Sequence, residues 1–374
     1  MKRLFIFILI LIAWGCVDPY NPPEIRKAAP VLIIDGFINS SGNSKLTLSW
    51  SQNIGDVNQP HFETSATVWI EDKTGTKHYL SSDNHGSYSL NSQLLPATHY
   101  RLHITTSNGK QYQSDFEPIM QTPLIDSVNW KLTNTGGVAF HVSTHDDFSS
   151  VGYYKWTFEE TWEYRSAFIS SIQLDASNQV VPRTEYINQC WRTLTNTDIL
   201  VESTTRLQKN QVSQFQLTTF LQNSERARHR YSLLAKQQAI TQAAYNYWKQ
   251  VKQSTEDLGT LFGPLPHQVS GNIKCTSHPN EIAIGYFSIS TVSTQRAFVS
   301  FLQLPTPPQY ITQYSGCEAR EITPTMVSSF SGPYLLIEPI YIGFGPMLAG
   351  YKYGSYFCVD CRYAGGTTTK PDFW

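Results

Sequence analysis

Alternating apolar and polar positions run through most of the chain, and the elements they predict are strands. Leu46, Leu48 and Trp50 repeat at period two after the apolar run Val31-Leu-Ile-Ile34 and its Asp35-Gly36, as half-buried strands do. Ala66, Val68 and Ile70 face one way and Thr67, Trp69 and Glu71 the other, and Asp72-Lys-Thr-Gly75 turns the chain into His78-Tyr-Leu80. That pattern predicts a hairpin. Asn84-His-Gly86 precedes Tyr88 and Leu90, then Tyr100, Leu102 and Ile104 alternate up to Asn108-Gly109, a dipeptide that tolerates the positive φ of tight turns. Residues 30–122, ending between Pro118 and Pro123, are read as an immunoglobulin-like β-sandwich of about seven short strands.

Residues 123–374 are read as a larger β-rich domain, whole or in two subdomains, with one amphipathic helix. Residues 128–131 and 138–142 flank Gly136-Gly137 as a further strand pair. In the longest alternation Tyr154, Trp156, Phe158, Trp162 and Tyr164 share one face, while Lys155, Thr157, Glu159, Thr161, Glu163 and Arg165 share the other. This predicts one core side and one wet side. Glu160 falls on the aromatic face, where a lone carboxylate is costly to desolvate. Two readings stay open for it: an ion pair with an arginine such as Arg192, Arg228 or Arg230, which is the simpler, or a ligand-binding or catalytic carboxylate. Residues 170–225 are rich in Ser, Thr, Asn and Gln and read as long loops or an insertion. After a strand at 231–236, Thr241 N-caps a helix near 241–258 whose Ala244, Tyr247, Trp248 and Val251 fall at i, i+3, i+4 and i+7, with Gly259 as its stop. An aromatic stripe at that spacing is a packing face before it is a cofactor site. Strands resume at 282–287 and 296–302, and the apolar Pro371-Asp-Phe-Trp374 is expected to dock.

The first residues address the chain to a membrane. Lys2 and Arg3 precede an unbroken apolar run at 4–12, and Ala13-Trp14-Gly15 places a small residue before Cys16, so residues 1–15 read as a signal peptide. The run is about half of the ~20 residues a spanning helix needs. A cysteine at the cleavage point fits a bacterial lipobox, although Ala13 stands where Leu is usual. Cys16 is therefore expected to carry the lipid anchor, with ordinary secretion and a chance cysteine as the alternative. Residues 16–29, containing Pro19, Pro22 and Pro23, read as a proline-rich tether.

Export implies an oxidising compartment, so Cys190, Cys317, Cys358 and Cys361 are candidate disulfide cysteines. Cys275, on a short segment between turn residues, is the expected odd thiol. Spacing leaves the connectivity open. Cys358-x-x-Cys361 also has redox or zinc spacing, but it lies among Tyr351, Tyr353, Tyr356 and Phe357, and no second CxxC completes a four-sulfur site. No metal and no cofactor is expected.

Composition narrows the function classes. Twenty-eight basic against twenty-nine acidic residues give a formal charge of −1, which becomes −3 when Lys2 and Arg3 leave with the signal peptide. Nothing in that balance binds nucleic acid. A hydrophobic share of 40% with mean hydropathy −0.30 excludes both a disordered chain and a polytopic membrane protein. Charged residues at 15% and aromatic ones at 13% fit an extracellular β protein. No nucleophile elbow, zinc-helix, Walker or dinucleotide motif occurs, so no enzyme is expected. His99 and His103 share a face without a carboxylate nearby in sequence and read as solvated. Glu159 and Glu163 have the spacing of a glycosidase pair, but Lys155 and Arg165 flank them as on a charge-balanced surface. Asp146-Asp147 offers too few oxygens for calcium.

A family resemblance rests on several of these segments taken in order. They are the lipobox with Asp18-Pro-Tyr, Val31-Leu-Ile-Ile-Asp-Gly36, Tyr153-Tyr-Lys-Trp-Thr-Phe-Glu-Glu-Thr161, and Gly271-Asn-Ile273 before Gly285-Tyr-Phe287. Cys358-x-Asp-Cys361-Arg and Gly365-Gly366 through Trp374 complete the set. Over nearly the whole mature chain the sequence resembles the Bacteroidota lipoproteins catalogued as domain of unknown function 4249. The resemblance implies a surface-facing outer-membrane lipoprotein, of a family often encoded beside a TonB-dependent transporter and without an assigned activity. It brings no catalytic residues. Three expectations follow: an accessory or ligand-capture protein on such a transporter, a structural or adhesive surface protein, or a hydrolase with an unrecognised site that uses Glu160 as its acid.

Overall fold

The computed structural model describes residues 29–52, 61–95, 98–149, 152–255, 269–305, 309–343 and 347–374. The signal peptide, Cys16, the tether up to residue 28 and Gly259 lie outside the described residues.

The N-terminal alternation becomes a two-layer sandwich. Leu32–Asn39 pairs antiparallel with Asn43–Trp50, which pairs in turn with Ser87–Asn91. In the facing layer Lys77–Tyr79, Thr67–Asp72, His99–Thr105 and Gln111–Ser114 lie in that order. Leu32, Leu48, Val68, Leu102 and Tyr112 meet between the layers and are essentially inaccessible to water. This division of strands is that of an immunoglobulin-like sandwich, and it carries the corresponding tyrosine corner. The Tyr100 hydroxyl, near the start of its strand, accepts the Leu95 N–H at 3.1 Å.

The sandwich is not completed by residues 30–122 alone, which corrects the boundary read from the sequence. Ile273–Cys275 adds an antiparallel strand beside Gln111–Ser114. Ala283–Ile284 runs parallel to Leu32–Asn39, and Ile289–Ser290 lies parallel between that strand and Glu117–Met120. The two layers are thereby joined along one edge. Parallel pairing of segments so far apart in sequence needs no turn between them, so it leaves no local signal.

A second sandwich follows. Its larger sheet centres on Tyr153–Arg165, with Arg230–Ala239 and then Ser293–Ser300 on one side and Gln189–Thr195 and Leu200–Ser203 on the other. Ile125–Leu132, Gly137–His145 and Gln211–Leu221 form the facing sheet. Tyr154, Trp156, Phe158, Trp162 and Tyr164 all enter this core, against Phe140, Val142 and Phe220. The opposite face is half-exposed at Glu159, only partly accessible at Lys155, whose ammonium is tucked under the Trp248 ring, and buried at Thr161 and Glu163. The predicted wet side is thus covered over its second half.

Residues 170–225, read as loops, contribute five strands. The Gln211–Leu221 strand shows why they were illegible. Its inward residues are Val212, Leu217 and Phe220, and Gln214 sits at φ 53 with two register shifts against Gly137–His145. Each irregularity flips the parity on which period-two reading depends. A small C-terminal sheet of Arg320–Ile322, Met347–Ser355 and Tyr334–Ile342 packs on the hairpin Ile172–Leu174/Val180–Pro182. Trp374 lies edge-on to Phe298 with the Arg230 guanidinium over its ring, so the terminal aromatics are docked.

The helix spans Gln242–Thr255. Thr241 accepts the Ala244 N–H on its hydroxyl at 3.2 Å and so caps it. Ala244 and Tyr247 are buried, with Trp248 and Val251 packed beside them. Among the described residues no helix is long and apolar enough to cross a membrane.

Candidate functional site

Glu160 is 6% exposed, and both of its oxygens are occupied. Oε1 meets Arg226 Nη2 at 2.9 Å and Oε2 accepts the Tyr231 hydroxyl at 2.9 Å. The partner is therefore Arg226 rather than Arg192, Arg228 or Arg230. Arg226 comes from the turn Glu225–Ala227 that follows the irregular strand, a position sequence parity could not supply. Arg192 and Arg226 both lie over the Trp162 ring, and Arg230 is spent on Phe298 and Trp374. Burial raises the Glu160 carboxyl above its ordinary range against the pull of Arg226 and Tyr231, and burial with the adjacent Glu160 charge drives the Tyr231 hydroxyl well upward. Each oxygen thus already holds one charged or hydroxyl partner, which the simpler of the two readings required.

The other sequence candidates are similarly engaged. Lys236 pairs with Glu159, while Glu163 accepts from Arg165 and Gln189, so the two glutamates are separately bound. His103 is not solvated: its Nε2 lies 2.7 Å from Glu71 on the neighbouring strand, and its ring stacks on Trp69. That carboxylate is close in space and distant in sequence. His99 is half-exposed. Asp146 and Asp147 border an open groove of about 580 Å³ with Lys209 and Asn210. There His145 Nδ1 bonds Asp126 at 2.8 Å, which raises the imidazole's pKa.

The cysteines resolve into Cys190–Cys361 and Cys317–Cys358, and Cys275 is a buried free thiol. The CxxC pair is not bonded to itself. Each member ties the C-terminal segment elsewhere, one to the second sandwich beside its central strand and one to the 317 loop. Both sulfurs of the motif are thereby engaged in structural crosslinks rather than facing one another or a common ligand.

Three of the resemblance segments meet at one seam. Gly271 and Gly285 cross so closely that a Cβ on Gly271 would stand 1.7 Å from the Gly285 carbonyl oxygen, and a Cβ on Gly285 (φ +142) 2.3 Å from the Ile34 carbonyl oxygen. Between them, Asn272 accepts the Phe287 N–H at 2.8 Å and donates to the Phe287 carbonyl at 2.9 Å and to Glu117 at 3.0 Å. Tyr286 donates to the same Glu117 at 2.8 Å, and Thr241, the helix cap, donates at 3.4 Å. The seam thus joins the first sandwich, the returning segment and the helix through one buried carboxylate, whose pKa burial raises. Beside it, Lys155 Nζ lies 3.3 Å from the Trp248 ring centroid, and burial lowers its pKa to about 8.

Among the described residues, one cluster of exposed apolar side chains lies on paired strands. At the end of the Tyr334–Ile342/Met347–Ser355 hairpin, Tyr341 pairs with Leu348 and Ile342 with Met347, and all four side chains are exposed, Met347 at 67%. Residues 339–351 hold no charged side chain, which was the available sequence signal.

Fold and surface together define a two-sandwich β protein with a disulfide-bound C-terminal sheet. The family described as Domain of unknown function (DUF4249) matches residues 17–296, and the chain belongs to that family. Residues 297–374, including the C-terminal segments of the resemblance, lie beyond the match. No curated protein matches the sequence significantly. Solved structures similar to part of the chain include a two-domain fibronectin type III segment from chicken tenascin. It is 10% identical over 56% of this chain and 91% of that one, with a TM-score of 0.17. The FN1–FN3 domains of chicken CNTN1 are 13% identical over 57% of this chain and 60% of that one, also at 0.17. At that TM-score neither carries an argument, and the fold assignment stands on the strand pairing itself.

Proposed function

We propose that this protein is a lipid-anchored accessory protein of the outer membrane, moored through acylated Cys16 and displayed at the cell surface. In this reading it docks on a TonB-dependent transporter and helps to capture or pass on its cargo. The observation that carries the docking is the exposed, uncharged hairpin tip of Tyr341, Ile342, Met347 and Leu348. Clustered aromatic and aliphatic side chains of this kind supply the central anchors of protein interfaces. Tyr341, Ile342, Met347 and Leu348 are held in register by the strand pairing on which they sit, and ordering of the contact groups before binding lowers the cost of association.

Purification of the full chain from mildly solubilised outer membranes tests this directly. A barrel transporter in stoichiometric amount supports it, together with a metabolically incorporated fatty acid on Cys16. A lone lipoprotein supports the second reading, a structural or adhesive spacer, which the welded pair of sandwiches favours. A hydrolase using Glu160 is the weakest reading, because Arg226 and Tyr231 occupy both carboxylate oxygens.

A further inference from the structure

We propose that Cys275, His278 and Glu281 form a binding site for a zinc-class divalent cation at the edge of the first sandwich, independent of transporter docking. Their donor atoms, one sulfur, one imidazole nitrogen and one carboxylate oxygen, all lie within 4.8 Å of one another. In a tetrahedral zinc site with ordinary bond lengths, donors of these types stand about 3.4–3.6 Å apart. The donors therefore need to approach by at most about 1.4 Å to close on an ion, and the exposed His278 supplies the freedom to do so.

Each donor is delivered by the fold. Cys275 ends the Ile273–Cys275 strand opposite Tyr112, and the turn that follows brings His278 and Glu281 back over it. Among the described residues Cys275 is the one cysteine outside a disulfide, and the Ser277 hydroxyl, 3.5 Å from its sulfur and 3.1 Å from His278 Nδ1, is the contact an ion would replace. Tyr112 donates to Glu281 Oε1 and orients the carboxylate, as second-layer partners of metal ligands do. With neutral imidazole, thiolate and carboxylate balance a divalent charge, leaving the fourth position for water. Binding converts the thiol S–H to S⁻ and releases that proton to solvent.

Lys110 supplies the opposing force. Its ammonium sits 2.6 Å from Glu281 Oε2 and competes for the carboxylate. The geometry therefore carries a directional consequence: removing Lys110 strengthens metal binding.

The test is a Co²⁺ titration of the metal-stripped mature chain under non-reducing conditions, followed by displacement with Zn²⁺. The expected result is one saturable equivalent with a thiolate-to-cobalt charge-transfer band. That band is lost in Cys275→Ser, weakened about tenfold or more in His278→Ala, and strengthened in Lys110→Met. His278 is exposed, so its variant folds normally even where Cys275→Ser perturbs the core. Absence of the band in the wild-type chain, or unchanged affinity in His278→Ala, overturns the proposal.

Discussion

Gly271 passes so close to Gly285 that no side chain fits between the backbone of one and the carbonyl of the other. Ile34 closes the far side, so three chain segments are pressed together where the returning strands enter the first sandwich. Replacing Gly271 with Ala should destabilise the protein by about 3 kcal/mol through forced backbone displacement. Chemical denaturation checks this, and a wild-type midpoint would show that the crossing is loose.

Glu160 and Arg226 make a second, electrostatic crossing. Glu160→Ala leaves the Tyr231 hydroxyl without its acceptor and the one-third-exposed Arg226 guanidinium without its partner and should cost about 2 kcal/mol, whereas Glu160→Gln keeps an acceptor for Tyr231 and should cost about 1 kcal/mol. Thermal unfolding separates the two variants. Stability equal to wild type in both would return Glu160 to the list of functional carboxylates.

Lys155 makes stability depend on pH in a defined window. Its folded-state pKa of about 8 lies below the roughly 10.4 of an unfolded lysine, so the unfolded chain binds more proton between these values. The stabilising contribution of the neutral amine is complete above the unfolded value and is lost as pH falls through about 8. Lys155→Met should therefore gain stability relative to wild type at pH 7, and the gain should shrink towards pH 10. A pH-independent difference between the two unfolding curves would contradict this.

The disulfides close loops of unequal length. Cys190–Cys361 spans 171 residues and Cys317–Cys358 spans 41, for which chain entropy alone gives about 5 and 4 kcal/mol. Replacing both cysteines of the longer bridge with Ala should lower the unfolding midpoint more than the same change in the shorter one. The reverse order, measured by denaturant titration, would mean that local contacts rather than loop closure dominate.

How much of this could be read from the sequence follows from how local the signal was. The first sandwich, the aromatic strand from Tyr154 to Tyr164 and the Thr241-capped helix declared themselves by undisturbed periodicity. Gln211–Leu221 did not, because Gln214 and two bulges reverse its parity. Glu160 was recognisable as misplaced among aromatics, but Arg226 was not recognisable as its partner, since the pairing depends on a turn. The return of residues 271–290 to the first sandwich was equally hidden: short parallel strands leave no turn, and only the glycines at 271 and 285 hinted at a close backbone approach.

The docking claim is tested most directly by comparing the full chain with Ile342→Glu/Met347→Glu in quantitative co-purification from outer membranes. Both positions are exposed, so the thermal midpoint should not change. The account predicts a one-to-one transporter complex for the wild type and at least a tenfold loss of it, about 1.4 kcal/mol or more, for the double variant. Equal recovery of the transporter with both proteins, or none with either, would contradict it.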